Sequence, residues 1–283
     1  MGKQQLIMDK ALELFGKQGI NDTTVQQIMN ECNMSKGAFY LAFTSKDELI
    51  TALIDRFMIE YTSDIDQMVR NEKGETLLRQ FFIYSYHFSL RHQPFTNLYI
   101  KEQIHKLNEH LIEKMKYYNQ LLNESLYHLV DRLYKHKTEY EKYELVWVIK
   151  AFMQIYQKFS FEENGEIDME LFVTSCVEKI DLIATHSKTT FVTEDLMLQI
   201  KWNQVKVDEL ILKKKIMRAM EEIEEPILVQ SLQLLHEHLV NKNLPDAVIH
   251  GLLQNIQHSI VCKEVRYLYQ VYMEQEEHKG ASR

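Results

Sequence analysis

Glycine and proline are scarce in this chain, 8 and 3 of 283 residues. That is too little punctuation for many short strands and tight turns, and it favours long helices. Cysteine is scarce as well. Cys32, Cys176 and Cys262 are odd in number, widely spaced and in no Cys-x-x-Cys pattern, which excludes a disulfide framework and a cysteine zinc site and suits reduced thiols in the cytosol. No stretch approaches the roughly twenty apolar residues of a membrane span. Lys3, Asp9, Lys10 and Glu13 break up the first fourteen residues, which therefore lack the continuous apolar core expected of a signal peptide. Positive charge is also short: the net charge is −8, which argues against a protein that coats nucleic acid by bulk electrostatics. Up to Lys46 the lysines at 3, 10, 17, 36 and 46 face Asp9, Glu13, Asp22 and Glu31, a balance of +1 that leaves −9 for the remainder.

Catalytic and metal patterns are missing too. His87, His92, His105 and His110 form no i, i+4 ligand pair, and His236-Glu237-His238 lacks the His-Glu-x-x-His order that sets two ligands on one helix face. There is no Gly-rich phosphate loop and no Gly-x-Ser-x-Gly elbow. The expectation is no metal, no cofactor and no enzyme.

What is present is helical periodicity in a chain that is 45% hydrophobic. Ile7, Ala11, Leu14 and Phe15 mark one face of a helix over 4–18, and Gly19 supplies a left-handed stop. Thr24 to Gln27 reads as a capping box opening a short second helix with Val25, Ile28 and Met29 inward. Asn33 sits where a tight turn needs positive φ, and Ser35 caps a third helix over about 35–42. Ser45 to Glu48 reads as another capping box. It opens a long helix with Leu49, Leu53, Phe57, Tyr61, Ile65 and Met68 on its apolar stripe. Further helices are expected near 75–92, 94–104, 105–137, 139–160 and 168–186. From Leu196 to Val207 the apolar residues alternate, which admits a short β-hairpin as well as a helix. Helical spacing then resumes at Asp208, with breaks at Pro226 and Pro245.

Two short helices joined by a tight turn form a helix-turn-helix, a unit that fits the major groove. Ala11, Leu14-Phe15, Gly19, Thr23-Thr24-Val25, Ile28, Ser35-Lys36-Gly37, Phe39-Tyr40, Phe43, Ser45-Lys46 and Leu49 together resemble the TetR/AcrR type of transcriptional regulator. Leu41 and Ala42 depart from the basic or aromatic residues common there, as do Met29, Glu31 and Asn33 from small residues and glycine. These departures bear on operator choice more than on fold.

The resemblance implies a mainly α protein. Its parts would be a helix-turn-helix head over 1–48 (the motif at about 24–43), an effector-binding and dimerisation body over 49–187, and an extension of unassigned role over 188–283. It implies a homodimer paired through the helices near 139–160 and 168–186, on a pseudo-palindromic double-stranded DNA operator, with a small apolar or amphipathic effector releasing a cytoplasmic repressor. Thr23, Thr24, Gln26, Gln27, Ser35, Lys36, Gly37, Ala38, Tyr40 and Lys46 are the DNA-binding candidates. Phe39 and Phe43, four apart, would anchor the reading helix from within. Tyr84, Phe88, Tyr99, Trp147 and Tyr156 are candidate effector-lining aromatics. Two other readings stay open at this point: an activator or architectural DNA-binding protein without an effector, and a helical interaction protein whose head no longer binds DNA.

Overall fold

The structure is a computed structural model, and it describes residues 3–72, 74–96, 109–157, 168–199 and 207–281. Their order is α1 (Lys3–Gln18), α2 (Val25–Glu31), α3 (Lys36–Ala42), α4 (Lys46–Asn71), α5 (Gly74–Arg91), α6 (Glu109–Leu133), α7 (Glu139–Gln157), α8 (Met169–His186), α9 (Glu194–Gln199), α10 (Glu209–Glu222), α11 (Pro226–Asn241), α12 (Asp246–Asn255), a 3₁₀ turn at Ile260–Cys262 and α13 (Lys263–Ala281). No strand occurs among the described residues. Of the alternating segment 196–207, residues 196–199 close α9 as helix, and 200–206 lie outside the described residues. The expected helix at 94–104 is seen only over its first residues, since 97–108 also lie outside.

Local chemistry sets most of these boundaries. The Thr24 hydroxyl accepts from the Gln27 amide, and the Gln27 side chain takes the Thr24 amide at 2.8 Å, so α2 opens with both early donors satisfied. Gly19 and Asn33 take positive φ, 88° and 51°. Ser45 caps α4 through the Glu48 amide, but the reciprocal half of the expected box falls one residue earlier. The Glu48 carboxylate accepts from the hydroxyl and amide of Thr44, and these bonds hold it below the usual carboxylate range. Pro226 sits in the first turn of α11, where its missing N–H costs nothing.

Helix α4 is the axis of the molecule. It packs against α1, α5, α6 and α13. Helix α6 runs parallel to it: Lys114 and Tyr118 meet Asp55 near the start of both helices, and Arg132 reaches the Glu72 carbonyl at 2.7 Å at their ends. Two apolar cores meet along α4. One joins Ile7, Phe15, Ile28, Phe39, Leu49 and Phe57 to Leu111 and Tyr118 of α6, and continues without a break into Leu212, Leu235, Val265 and Leu268 of the extension. The other gathers Tyr61, Ile65, Phe81, Leu126, Val146, Val173 and Ile180 from α4 to α8.

The polar face of α4 is therefore covered. Thr62, Ser63 and Asp66 are buried, because α13 lays a matching set of charges on them. Lys263 pairs with Asp64 at 2.5 Å, and Arg70 bridges Asp66 at 2.8 Å and Glu274. Burial pushes the Asp66 carboxyl up against the pull of Arg70. Such a cluster is well satisfied rather than strongly stabilising, because the cost of removing charges from water offsets much of the attraction.

Candidate nucleic-acid interface and ligand cavity

The head presents α3 outward from a fixed base. Phe39 is fully buried and Phe43 nearly so, their rings 6.0 Å apart. Four-residue spacing puts both on the inner face, so Lys36, Gly37, Tyr40 and Leu41 fall on the outer one. Lys36 and Gly37 are exposed and Ala38 is partly buried. Tyr40 is 50% exposed, its ring edge-on to Phe39, and Leu41 is 92% exposed. Ser35 accepts the Ala38 amide and fixes the first turn. Gly37 has room for a Cβ, its nearest neighbour being the Ser35 hydroxyl at 3.8 Å, so its smallness matters only for an approach from outside.

Other candidates are placed differently from one another. Thr24, Gln26 and Gln27 lie exposed along the start of α2, and Gln26 donates to Asn30 at 2.9 Å. Thr23 is turned inward, 1% exposed, with its hydroxyl donating to the Gly19 carbonyl at 2.7 Å. The Lys46 ammonium donates to the Ile20 and Thr23 carbonyls, the latter at 2.7 Å, and so ties the loop before α2 to the start of α4. In this arrangement Thr23 and Lys46 shape the head, whereas Lys36, Gly37, Tyr40 and Leu41 form its open face. The anchoring of α3 by Phe39 and Phe43 places Leu41 toward solvent or DNA, although it is not one of the DNA-binding candidates. Its signal was an apolar side chain on the outward stripe of a short polar-capped helix.

Behind the head lies a cavity of about 260 Å³. Met58 and Tyr61 of α4, Phe82, Ser85, Phe88 and Ser89 of α5, and Phe95 and Thr96 after it form one side. Asn119 and Leu122 of α6, Lys150, Met153 and Gln154 of α7, and Met169 and Phe172 of α8 form the other. Ser85 donates to the Phe81 carbonyl at 2.7 Å, so the Tyr61 hydroxyl, 2.8 Å away, donates to Ser85.

Of the expected lining aromatics, Phe88 is in the wall. Tyr84 is not, because its hydroxyl is drawn to Asp64 at 2.8 Å, the carboxylate that also holds Lys263. Burial and Asp64 together raise the Tyr84 pKa. Trp147 is stacked on Phe191 at 5.6 Å and is not in the wall either. Tyr99 and the Tyr156 side chain lie outside the described residues. Lys150 went unnoticed in the sequence although its position gave a signal: it stands one turn after Val146 and next to Ile149, both fully buried, on the inner stripe of α7. Its ammonium donates to Asn119 at 2.5 Å and Asn123 at 2.6 Å, and burial lowers its pKa to about 8.

Comparison with known proteins agrees with this geometry. Residues 7–53 match the model of bacterial regulatory proteins of the tetR family. The chain is 32% identical over 158 residues to YuxN, an HTH-type transcriptional regulator of Bacillus subtilis, a match covering 54% of this chain and 53% of that one. It is 24% identical over 265 residues to YerO of the same organism, also an HTH-type transcriptional regulator, covering 90% of this chain and 89% of the relative. A solved structure from Clostridium perfringens, described as a fatty acid metabolism regulator, shares the fold with a TM-score of 0.52 at 16% identity, over 65% of this chain and 98% of that one. No helix among the described residues is long and apolar enough to cross a membrane.

Proposed function

We propose that this chain, a transcriptional regulator of the tetR family, is a cytoplasmic homodimeric repressor that a small amphipathic molecule releases from a pseudo-palindromic DNA operator. The observation that carries the reading is the double duty of α4. Leu49 and Leu53 at one end are packed into the head, while Met58 and Tyr61, two turns on, line the cavity. Arg56 reaches Asp9 of α1 at 3.1 Å and its neighbour Asp55 takes the Tyr118 hydroxyl of α6 at 2.8 Å. A ligand that shifts α6 or α4 thus acts on the element that carries the head.

Release then follows as a population shift. Two heads on a two-fold axis bind successive major-groove faces only at one spacing, and a ligand with higher affinity for another spacing draws the dimer away from DNA. The pairing surface is α7 with α8, supported by the bare apolar side chains Ile155, Leu171, Leu182 and Ile183. On DNA, Tyr40 donates to a phosphate, Lys36 meets a phosphate or a guanine edge, and the exposed start of α2 lies against the backbone. The buried thiols of Cys32, Cys176 and Cys262 fit a reducing compartment.

The test is a titration of candidate ligands into protein bound to genomic DNA fragments that it retains. Ligand-dependent loss of binding is expected. Specific binding that no ligand of any class alters would favour an activator or architectural role without an effector, and absence of specific binding would leave a helical interaction protein.

A further inference from the structure

The cavity has an electrostatic sign. Among its described lining residues Lys150 is the one charged group, and no carboxylate lies in the wall. Its side chain leaves the inner stripe of α7 beside Val146 and Ile149, which are fully buried, and Gln154 follows one turn later on the same wall. An ammonium has three N–H donors. Two are taken by the amide oxygens of Asn119 and Asn123, which orient the group without neutralising it. Among the described residues no ion pair compensates it. A partly buried cation held this way carries a desolvation cost in the empty protein that an arriving anion offsets. The opposite wall is mainly apolar and aromatic, with the neutral hydroxyls of Ser85, Ser89 and Thr96 among its residues.

We propose that the cavity binds an amphipathic carboxylate, its head on the Lys150 ammonium and its apolar body against Phe88, Phe95 and Phe172. The inference rests on the cavity being the effector site proposed above. It adds the charge and shape of the ligand. Two amides and one free donor suit a monoanion, since a dianion would find no second cation among the described lining residues. A cationic ligand would face an uncompensated like charge, and a neutral one would leave the partly buried Lys150 without a counter-charge. Burial lowers the Lys150 pKa to about 8, so most of it still carries a proton near neutrality and can pair.

The test uses three probes of one tail length, decanoate, decan-1-ol and decyltrimethylammonium, titrated by calorimetry into the full-length protein and into Lys150→Met and Lys150→Gln variants. Decanoate should bind one per protomer, at least tenfold more tightly than the alcohol, with no binding of the cation. Both variants should lose roughly 10- to 100-fold in decanoate affinity, the range for a charge-assisted hydrogen bond, and keep their affinity for the alcohol. Their melting temperatures in the absence of ligand should be no lower than the parent's, which separates loss of the ligand contact from loss of fold. Equal binding of alcohol and decanoate, a preference that survives both substitutions, or no binding of any probe would overturn the proposal. Release of retained DNA is measured in parallel. Decanoate preference without release would refute the effector reading and keep the anion site. Equal binding and equal release by alcohol and decanoate would keep the effector reading and sink the anion site.

Discussion

Lys36→Ala on the open face of α3 tests how the head meets DNA. Lys36 is exposed and the base of its helix is set by Ser35, Phe39 and Phe43, so the substitution should leave the fold intact. If the ammonium neutralises one phosphate per head, its loss lowers the slope of log affinity against log salt by about 0.9 per head, or about 1.8 for a dimer. Between 50 and 200 mM salt the parent should then lose about 12-fold more affinity than the variant. If Lys36 instead reads a guanine edge, the cost is about 1–3 kcal/mol per head and falls at one operator position. Tyr40→Phe is the internal control, because it removes a neutral donor worth about 1 kcal/mol per head without a change of slope. The assay is fluorescence anisotropy on the retained operator and on single-base variants at several salt concentrations, with circular dichroism confirming the helices. Parent-like binding by both variants at every salt concentration and on every sequence would show that α3 is not the reading helix.

Further outcomes follow from the packing. Asn33→Ala should cost about 1–2 kcal/mol in denaturant unfolding, because Asn33 holds φ at 51° in the left-handed region, and Asn33→Gly should not; equal stability of the two would refute the turn argument. Removing residues 188–283 leaves α3 untouched but uncovers the buried polar face of α4 and takes Leu235, Val265 and Leu268 out of the core they share with Leu49 and Phe57. The fragment should melt well below the whole chain and, where folded, still bind operator; a fragment as stable as the parent would contradict the shared core. Lys150→Met should raise the melting temperature at pH 7. The folded-state pKa of about 8 lies below the ordinary lysine value of 10.5, so the penalty is complete below pH 8 and relieved as pH rises from 8 to 10.5. The gain is at most about 3 kcal/mol, and a gap between variant and parent that fails to close over that pH range would contradict the buried-charge account.

The head was legible in the sequence because its signals are local. Thr24 with Gln27, Ser35 before Ala38, Asn33 in the turn and Phe39 with Phe43 each act within one turn of helix, and each has the partner its spacing implies. The body helices were legible from period alone, and the observed spans at 74–91, 139–157 and 169–186 follow it closely. Other features depend on distant residues. The polar stripe of α4 at Asp64, Asp66 and Arg70 looks solvent-facing until Lys263 and Glu274, some two hundred residues later, cover it. Tyr84 reads as a cavity aromatic, yet Asp64 across the helix pair claims its hydroxyl. The boundaries drawn from sequence at 48 and 187 also miss that the head and the extension share one core, since hydrophobic periodicity shows which face is buried but not what buries it.

The most direct test of the central claim is selection of genomic DNA fragments by the purified full-length protein, followed by sequencing and footprinting of those retained. The account predicts one enriched pseudo-palindrome, protected on two half-sites about one helical turn or a multiple of it apart, with the enrichment weakened in Lys36→Ala and Tyr40→Phe. Recovery of no common sequence, or of an asymmetric single site bound by a monomer, would contradict it.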